Sequence, residues 1–367
     1  MSKLFRYSIK ESGLLIALVL FILLWGVGDR IAADSIPNFF SYLLSIIIFV
    51  VMLICSFNVV KQADWLAERF GEPYGTLILT LAVISIEVAL IITVMLAGKG
   101  EPTLARDTMF AVIMIAINGF AGLSLLTGGI KHYTQMYNIE GASAYLAVLI
   151  PLATICLILP NYTVSTTLST LSNFQSVIVI IICVALYATF LVKQTITHKD
   201  YFQFSIDREE DPHHPEGRIS YHVICLLAGL MVMILLSKYL AAYLQHNIED
   251  AGLPRPLVGF IIAMLVLMPE GVSAIQSAYK NRLQRSINLC MGSALATICL
   301  TVPSVLIISL FIGQPLILGL QSSSLLLLVL TFFSSVITFS TRRTSVLNGV
   351  VHLSIFMVYF VLIFDVI

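Results

Sequence analysis

Charge is scarce in this chain. Only 11% of the 367 residues are charged, where soluble domains carry about 25%. Lys plus Arg and Asp plus Glu stand at 20 each, so the net charge of zero gives no footprint for nucleic acid or for an acidic partner. The six cysteines, Cys55, Cys156, Cys183, Cys225, Cys290 and Cys299, all fall in apolar runs without metal-ligand spacing. They read as small hydrophobic residues. No H-E-x-x-H motif is present. His352 and Ser354 are two residues apart, which cannot face each other on a helix as a nucleophile and its base would. An intramembrane enzyme is therefore poorly supplied with residues, and none of these features asks for a resident cofactor.

Apolar length is abundant instead. Hydrophobic residues make up 59% of the chain, and runs near 20 residues recur, each sufficient to cross roughly 30 Å of hydrocarbon as a helix. An all-α integral membrane protein of about eleven transmembrane helices is expected, over 12–28, 37–60, 74–98, 108–130, 142–159, 174–192, 220–242, 256–278, 286–312, 322–340 and 345–367. The first run resembles a secretory signal, but no small-residue cleavage site follows Trp25-Gly26-Val27-Gly28-Asp29-Arg30, so it reads as a membrane helix. Fifteen of the 20 Lys and Arg lie on one side of this topology and five, Arg30, Lys99, Arg106, Lys238 and Arg255, on the other. Lysine and arginine favour cytoplasmic loops. The amino terminus is expected inside and, with an odd helix count, the carboxyl terminus outside.

The only long polar interruption runs from Gln194 to Gly217 and carries Asp207, Glu209, Glu210, Asp211, His213 and His214. It sets off an N-terminal helix (1–30), a first group of five helices (31–193), the acidic, His-containing loop (194–218) and a second group of five (219–367). A five-helix unit repeated in tandem enters the membrane upside down the second time, as in the inverted-topology repeats of many secondary transporters. The parallels run further. Arg106 opens the helix after Glu87, with Asn118 twelve residues on; Arg285 opens the helix after Glu270, with Thr297 twelve residues on. The loop reads as a solvated linker, and its carboxylates and histidines also make it a candidate sensor of cytoplasmic cations or pH.

Glu87 and Glu270 are the acidic residues placed near the middle of apolar runs, each in the second helix of its group. An ionisable group there costs roughly 2.5 to 3.5 kcal/mol on insertion scales and marks a functional site by default. Residues three, four and seven apart share a helix face. Thr76 and Thr80 accompany Glu87; Ser273 and Ser277 accompany Glu270; Ser286, Cys290, Ser293, Thr297 and Thr301 form a weakly polar stripe. Asp107 and Asn118 mark the fourth run, and Pro269 interrupts the backbone bonding just before Glu270. The expected pocket holds two carboxylates, an amide and hydroxyls, an oxygen-only set suited to hard cations. A buried carboxylate is neutralised by a proton or a cation, and a pocket that takes either exchanges one for the other. The candidate cation- and proton-binding residues are Glu87, Glu270, Asn118, Ser293 and Thr297. Their structural alternative is helix packing through small polar side chains, which also serves for His352 and, at a helix end, His222.

The chain resembles the calcium/cation antiporter superfamily in its cation/proton exchanger branch, and within it the bacterial ChaA-type sodium or calcium/proton antiporters. The likeness rests on Gly71-Glu72-Pro73-Tyr74-Gly75-Thr76 leading to Glu87, Arg106-Asp107-Thr108 leading to Gly128-Gly129, Asp211-Pro212-His213-His214, Pro269-Glu270-Gly271, Gly292-Ser293-Ala294-Leu295-Ala296-Thr297, Asn348-Gly349 and His352-Leu353. It implies one central acidic residue per inverted repeat, here Glu87 and Glu270, binding cation and proton in alternation, with a cytoplasmic acidic loop and a bacterial cytoplasmic (inner) membrane as location. Family members that prefer calcium carry Gly-Asn shortly before each glutamate, where Val83-Ile84 and Val266-Leu267 stand here. Gly271 replaces a His, and Ala296 a Gln. The expected substrates are Ca2+, or Na+ and K+, together with H+; the alternatives are a Na+(K+)/H+ antiporter without Ca2+ preference, an intramembrane enzyme and a passive cation channel. The partners are inorganic cations, protons and the lipid bilayer, and the protein is a monomer or a homo-oligomer.

Overall fold

The computed structural model describes residues 12–27, 38–70, 74–96, 102–166, 169–203, 217–314 and 316–365. Eleven membrane-type helices follow one another: α1 (Ser12–Val27), α2 (Asn38–Phe70), α3 (Tyr74–Leu96), α4 (Leu104–His132), α5 (Ile139–Tyr162), α6 (Asn173–Thr197), α7 (Ile219–Asp250), α8 (Pro256–Tyr279), α9 (Leu283–Ile312), α10 (Ser322–Phe339) and α11 (Val346–Ile363). Among the described residues, nine are long and apolar enough to cross a membrane, and α1 and α3 contribute shorter apolar helices. Two-residue strands β1 (Gln135–Met136) and β2 (Arg343–Thr344) pair antiparallel. The protein is an all-α integral membrane protein. Helix is the expected answer in lipid, where every backbone polar group must find its partner within the chain.

Several helices overrun the apolar runs that mark them. α2 continues to Phe70 and α7 to Asp250, because hydrocarbon thickness sets a minimum length and polar end turns keep their helical bonds in the interface. The polar interruption after α6 also begins as ordered structure. Phe202 is buried with its ring 5.5 Å from Tyr145 and 5.7 Å from Phe190, and its carbonyl accepts from Asn288 Nδ2 at 2.7 Å. Phe202 thus docks a stretch that polarity alone marks as linker. Asp207, Glu209, Glu210, Asp211, His213 and His214 lie outside the described residues.

The chain forms two compact units, and each draws on both halves of the sequence. The first holds α1, α2, α3, α7 and α8 as far as Val266. Here α2 and α7 are joined through polar side chains: Ser41 Oγ donates to Asn247 Oδ1 at 2.6 Å, and Asn247 Nδ2 donates to Ser45 Oγ at 2.9 Å. Near the other ends of the same helices His222 stacks on Trp65, with ring centroids 3.6 Å apart, and its Nδ1 lies 2.6 Å from Gln62 Oε1. The hydroxyls of Thr93 and Ser237 tie α3 to α7 at 3.0 Å. In an apolar solvent such hydrogen bonds, rather than hydrophobic burial, select helix partners.

The second unit holds α4, α5, α6, α9, α10, α11 and α8 from Leu267. Its pairings repeat. The α4–α5 connection meets the α10–α11 connection through β1 and β2, and the α9–α10 connection meets the α5–α6 connection through Ile317 and Thr170. Counted from the start of each five-helix group, these are the same two connections with the groups exchanged, as a two-fold-related duplication requires. The third helix of each group also carries a π-helical stretch, Met114–Phe120 in α4 and Thr297–Thr301 in α9. Asn118 and Thr297, each twelve residues after its arginine, fall inside these stretches.

Most of α4 is enclosed, and α11 lies directly on its backbone. A Cβ on Gly349 would stand 2.5 Å from the Leu126 amide nitrogen and 2.8 Å from the Gly122 carbonyl oxygen. Overpacking a core contact costs about 1 to 3 kcal/mol, and backbone atoms cannot swing aside. Gly349→Ala is expected to lower the melting temperature of the detergent-solubilised protein by several degrees, whereas Gly26→Ala, with no atom within 4 Å of the new methyl, leaves it unchanged. Equal melting of both variants would contradict this packing.

Candidate functional site

Glu270 lies in α8 directly after Pro269. Proline has no N–H to give, so a helix carbonyl one turn earlier is released from the usual ladder. The glutamate is 8% exposed, and Ser293 Oγ of α9 hydrogen-bonds its Oε2. The same hydroxyl lies 2.9 Å from the Leu289 carbonyl, which fixes its rotamer toward α8. Thr297, four residues further along α9, is buried at the start of the π stretch. The Ser277 hydroxyl donates to the Ser273 carbonyl at 2.8 Å.

The residue after Glu270 is shaped by an aromatic ring. A Cβ on Gly271 would stand 2.4 Å from three ring carbons of Phe120, so glycine alone lets that ring lie on the α8 backbone beside the carboxylate. Phe120 closes the π stretch of α4 and is buried. Sequence reasoning misses this contact; Gly271, directly after a functional glutamate, is the signal that points to it.

Asn118 sits elsewhere in the same unit. Its Nδ2 donates to Thr331 Oγ1 at 2.8 Å and reaches Met114 Sδ at 3.5 Å, and its Oδ1 lies 2.9 Å from His352 Nδ1. The amide therefore serves α10 and α11, and its hydrogen bonds do not run to Glu270 or Ser293. Asp107 is taken up by Arg106, with Nε to Oδ1 at 2.8 Å, while Arg106 Nη1 donates to the Gly319 carbonyl at 3.2 Å. The arginine that opens α4 thus anchors a connection rather than the pocket.

Glu87 belongs to the first unit, in α3, and is 1% exposed among the buried Ile86, Leu90 and Ile91. Thr80 on its face is partly buried; the Thr76 side chain lies outside the described residues. Val83, Ile84, Val266 and Leu267 are all buried. No amide is therefore offered at the positions a turn before either glutamate.

Comparisons with known proteins identify the family. Residues 40–196 and 221–364 match the family model described as sodium/calcium exchanger protein. The chain is 38% identical over 364 residues to the sodium-potassium/proton antiporter ChaA of Escherichia coli, covering 97% of this chain and 96% of that one. It is 26% identical over 238 residues to the Ca(2+)/H(+) antiporter ChaA of Bacillus subtilis, 64% of this chain and 68% of that one. Among solved structures, native YfkE superposes with a TM-score of 0.75 at 18% identity, covering 96% of this chain and 100% of that one.

The Ser293 hydroxyl hydrogen-bonds the Glu270 carboxylate, and a hydrogen bond to a charged acceptor is worth about 1.5 to 3 kcal/mol. Ser293→Ala is expected to raise the cation concentration for half-maximal transport by roughly tenfold or more, read from the cation dependence of proton flux in vesicles. An unchanged value would remove Ser293 from the site.

Proposed function

The chain belongs to the sodium/calcium exchanger family, and from that premise we propose that it is a secondary active cation/proton antiporter in which Glu87 and Glu270 hold cation and proton in turn. Family membership and the ChaA likeness support the class of transporter. The observation that carries the assignment of the site is the Ser293 hydroxyl aimed at the Glu270 carboxylate, beside a proline-broken turn and inside a membrane helix.

The coupling follows from electrostatics. An ionised carboxylate taken out of water costs several kcal/mol unless a positive partner accompanies it. A cation on the carboxylates satisfies that demand, and protons on them remove it. The empty, ionised state is the expensive one. Alternating access then passes through loaded states, protonated in one direction and cation-bound in the other, which is exchange rather than leak. A passive channel with the same residues would pass cations without moving protons.

The cation is read from what surrounds the carboxylates. Calcium takes six to eight oxygens at about 2.3 to 2.6 Å. Val83, Ile84, Val266 and Leu267 offer none from their side chains, and Phe120 fills the space at Gly271. A set this poor in amide ligands favours Na+ and K+, in keeping with the Escherichia coli relative named a sodium-potassium/proton antiporter. Calcium is the second reading, favoured by the Bacillus subtilis relative named a Ca(2+)/H(+) antiporter. The charge split of the loops and the bacterial relatives support a bacterial cytoplasmic membrane as the location, with the amino terminus in and the carboxyl terminus out.

Everted vesicles carrying an imposed pH gradient test the proposal. Sodium, potassium and calcium are added in turn while an acid-sensitive dye reports the gradient. Cation-triggered dissipation is expected in the native protein, and Glu87→Gln and Glu270→Gln should each reduce it to the level of vesicles lacking the protein. Retained exchange in both variants would contradict the roles of the glutamates, and dissipation by calcium alone would reverse the choice of cation.

A further inference from the structure

We infer that His352 is a positioning residue for the Glu270 site: from α11 it holds the Asn118 amide and, through the π stretch of α4, seats the Phe120 ring on Gly271 beside the carboxylate. The inference rests on the proposed role of Glu270.

His352 has no exposed surface. An imidazole inside the membrane needs both ring nitrogens satisfied, and both are. Nδ1 lies 2.9 Å from Asn118 Oδ1, and Nε2 lies 3.2 Å from Thr338 Oγ1. The amide orientation is assigned from its donation to Thr331. An amide oxygen only accepts, so Nδ1 carries the proton and Nε2 accepts from the Thr338 hydroxyl. The groups facing the ring are neutral: Asn118 and the Gly122 backbone from α4, Thr338 and the Phe339 ring from α10. A Cβ on Gly122 would stand 3.2 Å from the His352 Cβ, so the root of the histidine rests on the α4 main chain.

What this anchors is a segment that needs anchoring. A π stretch departs from the regular α-helical bond ladder and recurs at functional sites; this one, Met114–Phe120, has Asn118 inside it, bonded to Met114, Thr331 and His352. Two residues on, Phe120 is wedged where Gly271 has no side chain. A continuous line of contact runs from His352 through Asn118 and Phe120 to the residue next to Glu270. The histidine touches neither cation nor proton; it sets where the wall of the site stands.

Transport measured against cation concentration and pH, per amount of folded protein, tests this with His352→Leu, His352→Asn, Phe120→Leu and Glu270→Gln. His352→Leu deletes the donor to Asn118 and is expected to raise the half-saturating cation concentration about tenfold, the loss of one buried hydrogen bond. His352→Asn keeps a donor near the Nδ1 position and should recover most of that affinity with the native pH profile. Phe120→Leu, which leaves the hydrogen bonds intact and shrinks the wedge, should resemble His352→Leu, and it decides the matter if His352→Leu fails to fold. Native cation affinity in either leucine variant would overturn the inference. A changed pH profile in His352→Asn would also overturn it, by making the histidine itself a proton carrier. Exchange retained in Glu270→Gln would instead remove the site reading on which it rests; exchange lost there with native affinity in His352→Leu would remove only the positioning role.

Discussion

A carboxylate in the middle of a bilayer has to be neutralised, and most of what is distinctive in this protein is organised around that requirement. Glu87 and Glu270 are 1% and 8% exposed, each within a long, mostly apolar helix. Water cannot solvate them there as it does at a surface. Under the proposed function, whatever neutralises them becomes cargo as soon as the protein opens to both sides. Exchange is then the consequence of making the unloaded state costly, and no separate device is needed to forbid a leak.

The fold supplies two versions of the same arrangement. Each group of five helices puts its glutamate in the second helix and a π-helical stretch in the third, and the connections of one group pair with those of the other in a reciprocal pattern. Duplication explains why an odd-numbered unit suffices: the second copy meets the membrane from the opposite side. The copies have nevertheless diverged where they meet the chemistry. In α9 a serine reaches the glutamate, whereas in α4 the corresponding stretch turns its asparagine to α10 and α11 and offers an aromatic ring to α8. The proposed site around Glu270 is accordingly sparse in oxygen ligands, which bears on the size and charge of the ion it would suit.

The helix count, the membrane class and the family were legible in the sequence because lipid reduces structure to lengths of apolar chain and because Glu87 and Glu270 interrupt those lengths so plainly. The proximity of Ser293 to Glu270 follows from their places on facing helices. What periodicity does not convey is side-chain choice within a polar cluster. Asn118 has the right residue type and register for a ligand, yet a histidine 234 positions away claims its oxygen. That competition is decided by the close approach of α4 and α11 at Gly122 and Gly349, a tertiary fact with no local signature. Nor does polarity reveal that Phe202 docks the start of the acidic segment, since one aromatic ring packed on Tyr145 and Phe190 outweighs the charges around it.

The most direct test of the account is a count of protons released when a cation binds to the purified protein in weakly buffered detergent solution, followed with a pH indicator while binding is followed by its heat. If the same carboxylates serve both ions, saturation with sodium or potassium releases protons, and the release falls in step with the removal of each glutamate. Cation binding with its normal heat and no proton release would contradict the account, because it would place the two ions on different groups.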